Sequence, residues 1–141
     1  ELPMDEPLID AARRATDSAY APYSKFKVGA AVRSSAGAIY SGCNVENISF
    51  PVGACAEKHA IATGVLAEGN TFKIVAVAVF AEHADCSPHA VSPCGACRQA
   101  IAEFSDKDAV IYYPDERGIF AQITVGELLP LAFSFISNNT N

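Results

Sequence analysis

The chain is 141 residues long and half of them are hydrophobic, enough for one domain with a sizeable core and too apolar for a disordered segment. Acids outnumber bases 16 to 10, and the net charge of −6 argues against the basic patch that a grip on a nucleic-acid backbone calls for. No apolar run approaches the ~20 residues needed to cross a bilayer, no secretory signal heads the chain, and five cysteines are an odd number, so the pattern points to the cytosol, not to a membrane or a disulfide framework.

Residue 1 is Glu and the only methionine is Met4, which leaves the native start open. Asp5-Glu6-Pro7 reads as a helix start, a capping acid followed by a proline in the first turn. Leu8, Ala12, Ala15 and Ala19 then recur at helical spacing, predicting an amphipathic scaffold helix that ends before Pro22. Tyr20, Tyr23 and Phe26 fall in the following loop, where composition alone makes them packing anchors. Two short apolar runs, 27–33 and 38–43, flank Ser34-Ser35-Ala36-Gly37 and predict a hairpin. Its second strand delivers Asn44 and Glu46 to one side of an extended segment. Asn offers a donor and an acceptor and an ionised Glu only acceptors, a pair suited to the hydroxyls of a ribose. The bland alternative is a turn Asn with a solvated Glu.

Residues 55–69 predict a second helix with Ala60, Ile61, Gly64 and Val65 on its inner stripe and a glycine stop at Gly69. The run 73–80 is apolar without alternation, as in a central strand covered on both faces by helices. The loop 81–92 holds His83, Cys86 and His89 at irregular spacing and reads as a variable surface insertion, not a second metal site. Cys97, Ile101 and Phe104 lie on one face of a third helix, followed by strands 109–113 and 119–123 around a turn at 114–118. Thr124 is the expected cap of a short helix 125–129, ended by Pro130. Leu131, Phe133 and Phe135 then sit on a tail with little chain left to cover them, the situation of residues that pack on a neighbouring subunit. Asn138-Asn139-Thr140 has the form of a glycosylation acceptor but reads as a frayed end.

The chemistry concentrates in two pieces, Cys55-Ala56-Glu57 and Pro93-Cys94-Gly95-Ala96-Cys97. A catalytic zinc keeps three protein ligands and leaves one position for water, whereas a structural zinc takes four. Cys94 and Cys97 are one helical turn apart and can present both thiolates from one face, with Cys55 as the third ligand. Glu57 need not bind the metal: a carboxylate beside a zinc site can take the proton of a water whose pKa the metal lowers to roughly 7. Three thiolates on one dication carry net negative charge, offset by helix N-termini and by Lys58 and Arg98, the cations adjoining each half of the motif. His59 lies one turn from Cys55, but three cysteines already fill the pattern.

An acid two residues after the first ligand, followed by P-C-x-x-C, matches the general signature of zinc deaminases. With cysteine as first ligand, and with Phe26, Asn44-Val45-Glu46-Asn47 and Gly126-Glu127-Leu128-Leu129-Pro130 in order, the chain resembles the small homotetrameric cytidine deaminases from about Tyr20 to Phe133. The resemblance implies a three-layer α/β/α fold with a mixed central sheet of about five strands, a single domain over 1–141 whose tail from about 134 is frayed or lies at a subunit interface, and one zinc per subunit. It implies hydrolytic deamination of cytidine or deoxycytidine in cytoplasmic pyrimidine salvage. It gives Glu57 the proton transfers, Phe26 the packing against base or sugar, Asn44 and Glu46 the 3′-hydroxyl, the Ala56 amide a contact to the base, and Phe133 a place over the base in the adjacent subunit. Two positions depart from the common family pattern: Lys58 stands where an Arg often bonds the thiolates, and Phe50 where a Tyr is common. Two other readings compete. One is a blasticidin-S-type deaminase of aminopyrimidine nucleosides, which Asn44-Val45-Glu46 disfavours. The other is a structural zinc module closed by Cys43, Cys86, His59 or His89.

Overall fold

A computed structural model describes residues 3–134. Phe135 and the sequence Asn138-Asn139-Thr140 lie outside the described residues. In chain order the elements are α1 (Glu6–Thr16), β1 (Lys27–Ser34), β2 (Ile39–Cys43), α2 (Ala56–Glu68), β3 (Ile74–Glu82), α3 (Gly95–Glu103), β4 (Ser105–Pro114), β5 (Phe120–Thr124) and α4 (Val125–Leu128). The strands form one mixed sheet in the order β2-β1-β3-β4-β5, with β3 and β4 parallel and every other neighbour antiparallel. The hairpin, the central strand and the capped last helix stand where the sequence places them, each shifted by a few residues at its ends. None of the helices among the described residues is long and apolar enough to cross a membrane.

Side-chain alternation along the strands divides the core into two unlike layers. Val32, Val77, Val79 and Ile111 point to the face covered by α2, α3 and α4, where Ala60, Ile61, Ile101 and Val125 meet them. Ala31, Ala76 and Ala78 point to the other face, where Leu8, Ile9 and Ala12 of α1 pack. Bulky residues on one side and alanines on the other explain why β3 shows no polar alternation: both faces are covered, and they differ in size instead of polarity. Helix α1 is fixed at its start by Asp5, whose Oδ1 accepts from the Leu8 amide at 3.2 Å while both oxygens hold Arg33 on β1, Nε at 2.6 Å and Nη2 at 2.9 Å. The helix stops at Thr16, a turn earlier than its apolar spacing predicts, and Thr16 is buried with its hydroxyl on the Ala12 carbonyl.

The register places one rim of the sheet under the candidate site. Lys27 at the start of β1 pairs with Glu82 at the end of β3, and Gly29 pairs with Cys43 at the end of β2. The end of β2 leads into α2, and the end of β3 leads through the 83–94 segment into α3, so both helices begin at this rim. Helix α2 approaches β2 closely at Gly42: a Cβ there would lie 2.5 Å from the Ala60 nitrogen and 2.7 Å from the Ala56 oxygen, both backbone atoms that cannot swing away. Gly42→Ala is expected to lower stability by about 1–3 kcal/mol, the usual cost of an added carbon in a packed contact. The readout is a lower urea midpoint with unchanged slope. An unchanged midpoint would show that α2 stands further from the sheet than described.

Candidate metal centre and substrate cavity

Cys55 is the N-cap of α2 and Cys94 the N-cap of α3, both with extended backbone and neither with a capping bond from its side chain. Their carbonyls accept the first helical bonds, from His59 and Arg98 respectively. Cys97, in the first turn of α3, is fully buried. The three Sγ atoms lie within 4.8 Å of one another. A tetrahedral zinc with Zn–S bonds of about 2.3 Å sets its sulfurs roughly 3.8 Å apart, so this donor set fits that ion.

Burial pushes the Cys55 and Cys97 thiols up, and the charge of Glu57 adds to the effect. Cys94 is held below the usual thiol range: partial burial raises it, but the amides of Cys97 and Ala96 and the neighbouring thiols outweigh that effect. Those amides are the unpaired donors of α3's first turn, the part of a helix that favours a negative sulfur.

Glu57 is the one buried acid among the described residues, with 5% of its surface exposed. Burial raises its carboxyl above the ordinary value, against smaller opposing contributions from its own backbone amide and the Cys97 thiol. It lines a cavity of about 660 Å³ together with Cys55, Cys94, Ala56, Phe26, Asn44 and Glu46. That volume suits a small-molecule ligand. Cys55, Cys94, the acid and four of the five expected substrate contacts therefore converge on one cavity, with Cys97 buried beside the other two sulfurs. Phe133 is the exception: it is 68% exposed, away from the lining of its own chain's cavity, and its carbonyl accepts from Gln99 Nε2 at 3.3 Å.

Asn44 and Glu46 hold the cavity wall as well as face it. Asn44 Oδ1 accepts from the Val28 amide and its Nδ2 donates to the Phe26 carbonyl, each at 2.9 Å. Glu46 Oε1 accepts from the amides of Tyr23 at 3.0 Å and Ser24 at 3.1 Å. The Ser24 hydroxyl and then these amides keep the Glu46 carboxyl below its ordinary range, and the charge of Lys25 adds to them. Both side chains thus clamp the loop that carries Phe26, a task the sequence does not reveal because the partners lie 16 to 23 residues earlier. Each keeps unspent capacity, a second N–H on Asn44 and a second oxygen on Glu46.

The cations next to the motif are not turned to the sulfurs as expected. Arg98 spends its guanidinium on the turn before the ligands and on the end of α4: Nε to the Pro93 carbonyl at 2.7 Å, Nη2 to Ser92 Oγ at 3.2 Å, Nη1 to the Leu128 carbonyl at 3.2 Å. A planar fork meets three oxygens at once there, which explains why it faces oxygen. Lys58 is exposed on α2. His59 donates from Nδ1 to the Cys43 carbonyl at 2.8 Å, and among the described residues no histidine or further cysteine joins the three thiols. The 83–92 segment is no loose insertion. Its chain folds back on β3 through a Glu82–Pro88 bridge and a His89 amide bond to the Ala81 carbonyl, and the His83 and His89 rings reach Phe26.

Comparison with known proteins agrees with this geometry. Residues 3–113 match the family model described as the cytidine and deoxycytidylate deaminase zinc-binding region. A cytidine deaminase of Sporosarcina psychrophila is 44% identical over 129 residues, covering 92% of this chain and 90% of that protein. The 1.6 Å crystal structure of the cytidine deaminase of Burkholderia pseudomallei superposes with a TM-score of 0.78 at 39% identity, over 93% of this chain and 100% of that one. A more distant relative, the blasticidin-S deaminase of Bacillus cereus, is 33% identical over 114 residues, covering 79% of each chain.

Zinc analysis checks the ligand set. Purified protein is expected to carry equimolar zinc, the Cys43→Ala/Cys86→Ala double variant to carry the same, and Cys55→Ala, Cys94→Ala or Cys97→Ala to lose most of it. Zinc loss in the double variant would place a fourth ligand at one of those positions.

Proposed function

Because this chain belongs to the cytidine and deoxycytidylate deaminase family, we propose that it hydrolyses the C4–amino bond of cytidine or deoxycytidine, releasing ammonia and leaving uridine or deoxyuridine. The observation that carries the reading is a cluster of three thiols, of which Cys55 and Cys94 line a nucleoside-sized cavity together with the buried Glu57 carboxyl while Cys97 is buried beside them. Cys55, Cys94 and Cys97 are the groups that would hold zinc, and zinc there supplies the Lewis acidity that makes water a nucleophile near neutral pH. Glu57 Oε accepts a proton from the attacking water and delivers it to N3 of the pyrimidine as the oxygen bonds to C4. It then carries the second proton from that oxygen to the amino nitrogen, the C4–N bond breaks, and ammonia departs. Burial of Glu57 keeps bulk water from competing for these protons.

The family resemblance and the cavity lining support the remaining roles. Phe26 packs against the base or sugar, the Ala56 amide meets the base, and the spare donor and acceptor of Asn44 and Glu46 take the 3′-hydroxyl, all of which fix C4 relative to the nucleophile. Arg98 acts through the turn it holds, with Lys58 contributing only its field. The chain works as a single deaminase domain in cytoplasmic pyrimidine salvage. It assembles as a homotetramer, supported by the outer side of α2, where Leu66 is 89% exposed beside Val65, and by exposed Ile48, Phe50 and Leu131. Phe133 then has a neighbour's cavity to close.

The match to a blasticidin-S deaminase sustains a second reading, an enzyme for a substituted aminopyrimidine nucleoside. Ultraviolet assays separate the two: loss of absorbance is expected with cytidine and deoxycytidine, and turnover of blasticidin S alone would overturn the proposal. Glu57→Gln is expected to keep its zinc and lose about 10²- to 10⁴-fold or more in kcat, the usual worth of acid–base transfer. Zinc loss in that variant would make Glu57 a ligand and not a proton carrier.

A further inference from the structure

Phe26 has empty space on two sides. The residue lines the 660 Å³ cavity and also a second recess of about 500 Å³, whose other walls are Ser24, Lys25, His83, Ala84, Asp85 and Ser87. Its backbone is fixed, the amide donating to Ser24 Oγ at 3.0 Å and the carbonyl accepting from Asn44. Those bonds fix the backbone and leave the side chain to be held by what it packs against.

A pair of imidazoles packs against that side chain. The half-buried His89 ring meets Phe26 edge to face, centroids 5.0 Å apart and planes at 83°, and His83 approaches at 6.2 Å and 64°. The two imidazoles brace each other at 4.6 Å and 68°. The His89 ring is anchored by its Nδ1 on the Ala90 carbonyl, and the backbones of both residues are pinned, His89 by its amide on the Ala81 carbonyl and His83 by its amide on the Ser87 carbonyl. Edge-to-face is the arrangement that aromatic quadrupoles favour, so the contact has a preferred geometry and is more than bulk filling.

We propose that His89, backed by His83, is a positioning residue that holds the Phe26 ring in the nucleoside cavity and so sets affinity for substrate without taking part in the proton transfers. This rests on the reading of Phe26 as a substrate contact. A brace of this kind acts on binding in ground and transition states alike, so its removal raises KM and leaves kcat.

Steady-state kinetics with cytidine on the zinc-loaded full chain tests it. His89→Ala is expected to raise KM about three- to tenfold, the worth of one edge-to-face contact, with kcat within about twofold and zinc content unchanged. His89→Phe, which keeps a ring at that place, is expected to recover most of the lost affinity. In a Phe26→Ala background, His89→Ala is expected to add nothing, because the partner is gone. An unchanged KM in His89→Ala, failure of His89→Phe to recover it, a parallel fall in zinc and kcat, or full additivity with Phe26→Ala each overturns the brace. If Phe26→Ala itself leaves KM untouched, the fault lies in the assignment of Phe26 as a substrate contact.

Discussion

Three sulfurs from two separated stretches of chain must arrive at one point, and the rest of the structure can be derived from how that is achieved. Each stretch contributes a cysteine at the N-cap of a helix, and both helices begin at the same rim of the sheet. That rim is where β2 and β3 end. The antiparallel pairing of β1 to both then brings Lys27, and next to it Phe26, to the same place. Helix N-termini at strand ends are where open α/β sheets bind ligands, because unpaired amides and a favourable dipole collect there. The glycine at position 42 and the parallel β3–β4 pair bring α2 and α3 near enough to the sheet for their cysteines to meet.

The same placement answers the electrostatic problem. A cluster of thiolates beside a carboxyl needs positive potential, and the obvious cations do not face it: Lys58 is exposed, and Arg98 grips carbonyl oxygens. Backbone amides do part of the work, as the lowered Cys94 shows. Arg98 serves the site mechanically, tying the turn that presents Cys94 to the end of α4, while the next residue, Gln99, holds the Phe133 carbonyl. The helix that carries two ligands thus also tethers the segment at the far end of the described chain.

Each half of the motif, Cys55 with Glu57 and Cys94 with Cys97, was legible from short spacing within one helical turn, where geometry follows from residue number, and the family resemblance joined the two halves. The element order was legible for the same reason. What sequence hid has long-range causes. Asn44 and Glu46 read as sugar contacts, yet their first partners are amides and a carbonyl of the preceding loop. The two faces of β3 differ by valine against alanine, a contrast of volume that polarity patterns miss. His83 and His89 looked irregular because what they share is a contact with Phe26, far earlier in the chain, and not a spacing.

X-ray absorption at the zinc edge of the metal-replete protein tests the central claim most directly, that three thiolates hold the ion and one corner stays open to solvent. The expected spectrum has three sulfurs at about 2.3 Å and one oxygen near 2.0 Å, with the oxygen shell changing when a hydrated pyrimidine nucleoside analogue is added. Four sulfurs, or three sulfurs with the multiple scattering of an imidazole, insensitive to the analogue, would contradict it.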